Sequence, residues 1–273
     1  MPVINTNVNA LLAQQTSIKN SREMAGAMQQ LSSGSRISSA KDDAAGVAIG
    51  QSMTAQVKGL NQAIRNVNDG VNLLQTADGA LAEQANMLQR MRELAVQSSS
   101  GTYSSTQRGY LNTEFAALSS QIDKIGSETT WNGYTLLTGG TFSFQTGQSS
   151  GQTIDVAIGS MTVSGLAISA TTGGVGIATS VTAATTITAL DTAIGTLNSQ
   201  RATLGAKINQ LTYAGDNLSN ISGNIQASRS TIMDTDYATA STQLSKTQII
   251  QQAATAMLAQ ANQQPQSVLS LLK

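Results

Sequence analysis

The chain has 273 residues, carries 15 lysines and arginines against 15 aspartates and glutamates, and contains no histidine and no cysteine. The missing residue types exclude a Ser-His-Asp or Cys-His nucleophile, the usual zinc ligands and a disulfide framework. Zero net charge gives no electrostatic attraction for nucleic acid or an anionic membrane. We therefore expect no catalytic centre of these kinds, no cofactor and no nucleic-acid partner.

The N-terminal segment predicts a helix with an apolar stripe. Its first fifteen residues lack a basic region followed by an apolar one, so no cleavable secretory signal is predicted. No stretch of the chain approaches the roughly 18 apolar residues of a membrane span. The stripe consists of Ile4, Val8, Leu11, Ile18, Ala25 and Met28.

The densest polar cluster follows this helix and consists of Arg36, Lys41, Asp42 and Asp43. Paired carboxylates can serve acid–base catalysis, but only in a cleft that perturbs their pKa values. Acidic side chains are equally favoured near the start of a helix, so we prefer a turn and helix start with an assembly role. Gly46 and Gly50 have the spacing of a membrane-helix dimerisation motif, yet their polar neighbours favour close helix approach in a soluble packing.

Two heptad arrays dominate the middle of the chain, and each predicts a long helix in a coiled-coil seam. Each spans 39 residues, and the equal lengths suggest that the two helices pack on each other. The first array is Val57, Leu60, Ile64, Val67, Val71, Leu74, Asp78, Leu81, Ala85, Leu88, Arg92 and Ala95. The second is Ile187, Leu190, Ile194, Leu197, Arg201, Leu204, Ile208, Leu211, Gly215, Leu218, Ser222 and Ile225.

The charged residues in these arrays suggest a register for antiparallel pairing. A single register brings Asp78 close to Arg201 and Arg92 close to Asp191. Because a polar core position can specify register at some cost in stability, we interpret both as register pairs.

Between the arrays the sequence predicts a third helix and then a small β-rich tip. Ser104 and Gln107 have capping-box spacing, and a short turn before them predicts that this helix folds back antiparallel onto the first array. Residues 141–145 and 153–158, separated by a glycine-bounded turn, predict a hairpin. The predicted fold is mainly α: an elongated antiparallel helical bundle with a β-hairpin tip, and terminal helices forming a second coiled-coil layer.

The C-terminal segment resembles the N-terminal one in its low charge and its apolar stripe. Two such helices would be marginal in water, so we expect them to need partners beyond their own chain. Asp234 and Asp236 have the spacing of a metal-binding D-x-D motif, but without a phosphate-binding loop a helix cap is the better interpretation. The stripe consists of Leu244, Ile250, Ala254, Met257, Leu258 and Ala261.

Several long motifs are characteristic of one family. Residues 31–50, LSSGSRISSAKDDAAGVAIG, resemble the N-terminal signature of bacterial flagellins. The likeness continues through ANMLQRMRELAVQS at 85–98, LGAKINQL at 204–211, SRSTIMDTDYA at 228–238 and LAQANQQPQSVLSLL at 258–272. The sequence departs from the usual pattern at Gln107, Trp131, Ile208 and Gln210.

The resemblance implies a subunit of the flagellar filament, exported unfolded through a type III apparatus without a cleaved signal and located outside the cell. Residues 1–35 and 234–273 would form the helices of the inner tube. Residues 36–182 and 183–233 would form the surrounding rod domain. The implied partners are other copies of the chain or other flagellins, the filament cap, hook-junction proteins and an export chaperone. The polar cluster with Asp234 and Asp236 would make contacts between subunits or in the spoke joining the tubes.

The resemblance also implies recognition by a vertebrate toll-like receptor. Five residues match the family's recognised surface, although the alternative is a solvated face or a filament contact: Gln89, Arg90, Leu94, Gln97 and Glu114. Sugars on Thr171, Thr172, Thr179 and Ser180 are a further alternative to a plain soluble loop.

Three other classes of protein remain as alternatives. A hook–filament junction protein has similar terminal segments, but its heptad regions usually diverge. A chemoreceptor-like signalling hairpin would show membrane spans and denser charge. A carboxylate hydrolase would need paired carboxylates outside helix starts and caps.

Overall fold

The computed structural model of the chain describes residues 6–168 and 175–270, with side chains through residue 263. Ile4, Thr171 and Thr172, which carry sequence predictions, lie outside the described residues. The helices are α1 (Val8–Ser33), α2 (Ala44–Ser99), α3 (Ser105–Glu128), α4 (Ser180–Met233) and α5 (Tyr237–Ser270). The strands are β1 (Thr130–Trp131), β2 (Tyr134–Thr135), β3 (Thr138–Gln145) and β4 (Thr153–Ser160). The mainly helical class with small hairpins is confirmed.

The chain divides into two compact units. Lys58–Ser222 forms one, and Met1–Val57 with Gly223–Lys273 forms the other. We refer to the first as the central unit and to the second as the terminal unit.

The core of the central unit is a seam between α2 and α4. On each helix every seventh residue is buried, because a period of seven returns a side chain to the same face of a coiled-coil helix. The row on α2 is Leu60, Val67, Leu74, Leu81, Leu88 and Ala95, and the row on α4 is Ala183, Leu190, Leu197, Leu204, Leu211 and Leu218. The other row of each predicted array is half-buried or exposed at most of its positions, including Ile64, Asp78, Arg92, Ile194 and Arg201.

A further row on α2, at every seventh position from Ala63 to Ser98, is buried under α3 and the hairpins. Within this row Gln84 is fully buried, and its Nε2 donates hydrogen bonds to the carbonyl oxygens of Ile122 at 3.1 Å and Met161 at 3.0 Å. The sequence prediction missed this row, because all of its members except Met91 are small or polar and do not continue the apolar period. Its residues are Ala63, Gly70, Ala77, Gln84, Met91 and Ser98.

Helix α3 begins where the capping box predicts. The Ser104 hydroxyl accepts a hydrogen bond from the amide of Gln107, and the Gln107 side chain accepts one from the amide of Ser104. Its buried residues, spaced by three and four, are Phe115, Ser119, Ile122 and Gly126. The buried face therefore shares only Phe115 and Ile122 with the stripe that apolar spacing predicts, which is Leu111, Phe115, Leu118, Ile122 and Ile125.

Two antiparallel hairpins follow α3. The larger pairs β3 with β4, as the alternating pattern predicts, and places Phe142 opposite Val156. The smaller pairs Trp131 with Tyr134 across a turn at Asn132 and Gly133, whose φ angles are 48° and 82°. Asn-Gly is the dipeptide that suits such a turn, so the sequence did contain a signal for this second hairpin.

The terminal unit is built on antiparallel packing of α1 against α5. The Asn7 side chain donates to the Ala261 carbonyl at 2.7 Å, near the start of α1. Further along, the Asn20 side chain donates to the Thr247 carbonyl at 2.8 Å. Gly50, at the start of α2, lets Met233 at the end of α4 approach closely, since a Cβ there would meet the sulfur at 2.5 Å. Gly50 thus gives the close helix approach that the sequence predicts, whereas a Cβ at Gly46 would meet Asp43 and Ile37, which precede α2.

Candidate assembly surface

The interface between α1 and α5 is made mainly of small and polar side chains. Asn20 is 4% exposed and also donates to Oε1 of Gln251 at 3.0 Å. Gln251 in turn donates to the hydroxyl of Ser17 at 3.2 Å. The other buried residues of these helices are Ala27, Ala240 and Thr247. Amide hydrogen bonds and alanines thus hold the pair together, and most large apolar side chains lie elsewhere.

Those apolar side chains lie on the outer faces of the two helices. The outward-facing positions include four members of the N-terminal stripe and one of the C-terminal stripe. Soluble proteins rarely expose contiguous apolar patches of this kind unless the patch is an interaction site. The exposed residues are Val8, Leu11, Leu12, Ile18, Met28, Ile249 and Met257.

A groove between the two helices adds to this surface. It has a volume of about 500 Å³ and is lined mostly by apolar atoms, with Leu12 and Ala13 on one side and Ile250, Ala254 and Met257 on the other. Leu12 is 63% exposed and Met257 is 65% exposed, so the walls of the groove remain open to solvent. The groove is therefore an open apolar surface on the terminal unit.

The joint between the helices of the terminal unit is a short backbone bridge. Ser35 and Asp234 form an antiparallel bridge, and the amide of Arg36 donates to the Met233 carbonyl at 2.7 Å. The Arg36 guanidinium donates to the Ile232 carbonyl at 2.6 Å. A cation placed at the last carbonyls of a helix is favoured by the helix dipole. Arg36 therefore caps the end of α4.

Three of the four predicted aspartates in this region make local caps and turns. The Asp43 carboxylate accepts from the amides of Ala45 at 3.0 Å and Gly46 at 2.9 Å, at the start of α2. The Asp236 carboxylate accepts from the amide of Ala238 at 2.9 Å and from the hydroxyl of Thr239 at 2.8 Å. The hydrogen bond from Thr239 is the largest cause that lowers the pKa of Asp236.

Asp42 closes the turn before α2. Its carboxylate accepts from the hydroxyl of Ser39 at 2.9 Å and from that of Ser38 at 3.2 Å, and the bond from Ser39 lowers the pKa of Asp42 most. Lys41 is exposed in the same turn. Asp234 contributes its backbone to the bridge with Ser35. The carboxylates of Asp42, Asp43 and Asp236 are thus arranged at helix starts and turns.

The structure brings together both charged pairs of the heptad arrays. Arg201 Nε lies 2.8 Å from Asp78 Oδ1, and Arg92 Nε lies 2.6 Å from Asp191 Oδ1. The hydrogen bond to the partner carboxylate is the largest cause that raises the pKa of Arg201 and of Arg92. All four side chains lie on the half-exposed edge of the α2–α4 seam.

Four of the five residues matched to the receptor surface are exposed. Arg90 donates to Glu114 at 2.9 Å and to Glu93 at 3.0 Å, and these bonds, the one to Glu114 first, raise the pKa of Arg90. Gln89 is exposed, and Gln97 donates to the Tyr103 hydroxyl at 2.9 Å. Leu94, by contrast, is 1% exposed. It points into the core and does not belong to the exposed face.

Within residues 6–168 and 175–270, no helix has the length and apolar character that crossing a bilayer requires. In the same described ranges, no three acidic side chains are grouped so that they could hold a metal ion.

Two family models match the chain. The bacterial flagellin N-terminal helical region matches residues 4–141, and the bacterial flagellin C-terminal helical region matches residues 187–272. Flagellin of Halalkalibacterium halodurans is 43% identical over 273 residues, which cover 99% of this chain and 100% of that protein. Flagellin A of Vibrio cholerae is 35% identical over 375 residues, with 99% of each covered. The crystal structure of Bacillus cereus flagellin, at 34% identity, covers 56% of this chain and 88% of that one with a TM-score of 0.49.

Long paired helices with an exposed apolar face are typical of structural proteins that have an interaction surface. Full-length similarity then fixes the family: the chain belongs to the bacterial flagellins. It is a non-enzymatic subunit of the flagellar filament, the organelle of swimming motility, and it self-assembles.

Proposed function

We propose that the terminal helices drive polymerisation of this subunit into the filament. Residues 1–35 and 234–273 form the inner tube in this proposal, and residues 36–182 and 183–233 form the rod domain around it. The observation that carries it is the outward apolar face of α1 and α5, with Leu11 58% exposed and Ile249 67% exposed.

The energetics favour contact with other copies. Fully burying a leucine or isoleucine side chain contributes about 1.5–3 kcal/mol. Leu11, Leu12 and Ile18 are exposed on α1, and Ile249 is exposed on α5. The interface within the chain offers little apolar burial, since Asn20 and Thr247 occupy its centre. Helices that depend on neighbours for burial order when those neighbours arrive, and this coupling of folding to binding makes growth cooperative.

The remaining partners are proposed from membership of the flagellin family. An exposed apolar face is an aggregation hazard before assembly, so an export chaperone that covers it is expected. We propose that the subunit is exported through a type III apparatus without a cleaved signal. It then assembles outside the cell beneath a filament cap, on a filament whose base is attached to hook-junction proteins.

The joint carries a second part of the proposal. The caps made by Arg36, Asp43 and Asp236 fix where α4 ends and where α2 and α5 begin. We assign these three residues, together with Lys41, Asp42 and Asp234, to the spoke, which is the segment that joins the inner tube to the rod domain. Small shifts between stacked rods would then switch the filament between packings of similar energy.

Seeded growth tests the proposal. Purified monomer is added to sheared filament seeds and viewed by electron microscopy, beside a chain lacking residues 237–273. The full chain should extend the seeds and the shortened chain should not, while circular dichroism shows that the shortened chain keeps its remaining helices. Growth by the shortened chain would refute the role of α5.

We further propose the exposed face around Arg90 as the contact for a vertebrate toll-like receptor. The support is the arrangement itself: the Arg90–Glu114 ion pair joins α2 and α3 on an open surface, with Gln89 and Gln97 beside it. Leu94 would support this face from beneath because it is buried.

A further inference from the structure

A groove in the central unit is lined by several aromatic side chains. The proposed polymerisation through the terminal helices does not involve these side chains. Aromatic residues make up only 3% of the chain, which has one Trp, three Phe and five Tyr. Four of these nine line one groove of about 830 Å³, beside Leu73 and a single charged residue, Asp69. The four are Trp131, Tyr134, Phe142 and Phe144.

The local fold explains how the rings come together. The turn at Asn132 and Gly133 places Trp131 opposite Tyr134 across the small hairpin. Phe142 and Phe144 are two residues apart on β3, so both point to the same face of the strand. Gly70 on α2 leaves room for the Phe144 ring, since a Cβ there would meet its Cδ1 at 2.9 Å. The groove is therefore built by three separate elements.

The charge at its edge limits what can enter. Asp69 is exposed and forms no hydrogen bond or ion pair with any residue that the structure describes. The basic residue one turn before it, Arg65, is turned away and donates to Gln62 at 3.2 Å. A purely apolar partner would bury the carboxylate of Asp69 without compensation, which is costly. A cation both pairs with the carboxylate and is attracted to the faces of the rings.

We infer that this groove receives a lysine or arginine side chain from a second copy of the chain in the filament. The inference rests on the proposed function, because copies of the chain lie side by side in a filament. Many cationic side chains are available for this contact. The chain has 15 lysines and arginines, and among the described residues only Arg90, Arg92 and Arg201 form ion pairs. Neutral rings with one unpaired carboxylate match such a side chain in charge and in shape.

Trp131 provides the test, because it is the chain's one tryptophan and it lines the groove. Acrylamide quenching of its fluorescence is measured on monomers and on seeded filaments of the full chain. In parallel, the critical concentration for growth is measured for Asp69→Asn and for Asp155→Asn. Asp155 is an exposed aspartate on β4 outside the groove, so its substitution is a matched loss of charge.

We expect Trp131 to become less accessible to acrylamide on polymerisation. Asp69→Asn removes the ion pair with the incoming cation and should raise the critical concentration about two- to fivefold, as expected for a partly exposed pair, and Asp155→Asn should not. Equal quenching in monomers and filaments would overturn the inference, since the groove would then stay open. Protection of Trp131 with equal effects of the two substitutions would overturn the cationic partner.

Failure of the proposed function would look different. If Asp69→Asn and the unaltered chain grow alike and the chain lacking residues 237–273 does not grow, terminal-helix assembly stands and the groove inference falls. If the shortened chain grows as well as the full chain, terminal-helix assembly falls, and the quenching result still decides whether a neighbouring copy covers the groove.

Discussion

Arg201 on α4 pairs with Asp78 on α2 at 2.8 Å, and both side chains are 37% exposed. The two residues occupy heptad positions whose rows are mostly apolar. They occupy the open edge of the seam, where a charge keeps part of its hydration. The hydrogen bond to Asp78 is the largest cause that raises the pKa of the Arg201 guanidinium. We interpret the pair as a device that holds α2 and α4 in one register.

A double-mutant cycle tests this interpretation. Substituting Asp78→Ala, Arg201→Ala and both together should give a coupling of about 0.5–1 kcal/mol in the free energy of urea unfolding, as expected for a partly exposed pair. The exchange Asp78→Arg with Arg201→Asp should recover most of the stability lost by either single charge reversal. A coupling indistinguishable from zero would show that apolar packing alone sets the register.

Two glycines of α2 form a matched pair for a stability test. Alanine at Gly79 meets no atom within 4 Å, so the better helix propensity of alanine should stabilise the fold by about 0.5–1 kcal/mol. Alanine at Gly70 collides with the Phe144 ring, and crowding of this kind costs about 1–3 kcal/mol. Thermal unfolding should therefore rank Gly79→Ala above the unaltered chain and Gly70→Ala below it. The reverse order would mean that the ring does not rest on α2.

The start of α5 should respond to acid. The folded-state pKa of Asp236 is lowered from its ordinary value of 3.8, so the cap contributes stability above that pH and loses it as the pH falls through the folded pKa. In NMR spectra the amide signals of Ala238 and Thr239 should shift with a midpoint below 3.8. Asp236→Asn keeps a capping side chain but cannot titrate, so its signals should stay constant over the same range. A midpoint at or above the ordinary value would contradict the cap.

The receptor proposal depends on the face around Arg90. Arg90→Asp reverses the charge that pairs with Glu114 and should abolish measurable binding of the monomer to the receptor ectodomain. Arg65→Asp is the control, since Arg65 is exposed on the same helix away from Glu114. Binding is measured by surface plasmon resonance after circular dichroism has shown that both variants are folded. Unchanged binding by Arg90→Asp would refute the proposal.

The heptad period made the seam predictable from the sequence. The buried rows from Leu60 to Ala95 on α2 and from Ala183 to Leu218 on α4 follow directly from it. The period does not reveal which edge of the seam is covered. That edge is defined by α3 and the hairpins, which bury small or polar residues such as Gly70 and Gln84. Only contacts distant in sequence identify such positions as core.

The terminal helices show a different limit. Their apolar stripes were visible in the sequence, but the pairing of α1 with α5 uses mainly another face, through Asn20, Ala27 and Thr247. Polar residues such as Asn20 and Thr247 do not signal an interface, because buried polar groups stabilise only when their hydrogen-bond partners meet with good geometry. The same is true of Asp42, whose role in closing a turn depends on the hydroxyls of Ser38 and Ser39.

The most direct measurement of the central claim is the critical concentration for seeded growth of Leu12→Gln beside Val181→Gln. Leu12 is 63% exposed on α1, and Val181 is 75% exposed on α4 in the central unit. If the outer face of α1 is buried in the filament, Leu12→Gln loses about 1–2 kcal/mol per subunit and its critical concentration rises roughly five- to thirtyfold. Val181→Gln should change it less than twofold. Equal critical concentrations for the two variants would contradict assembly through the terminal helices.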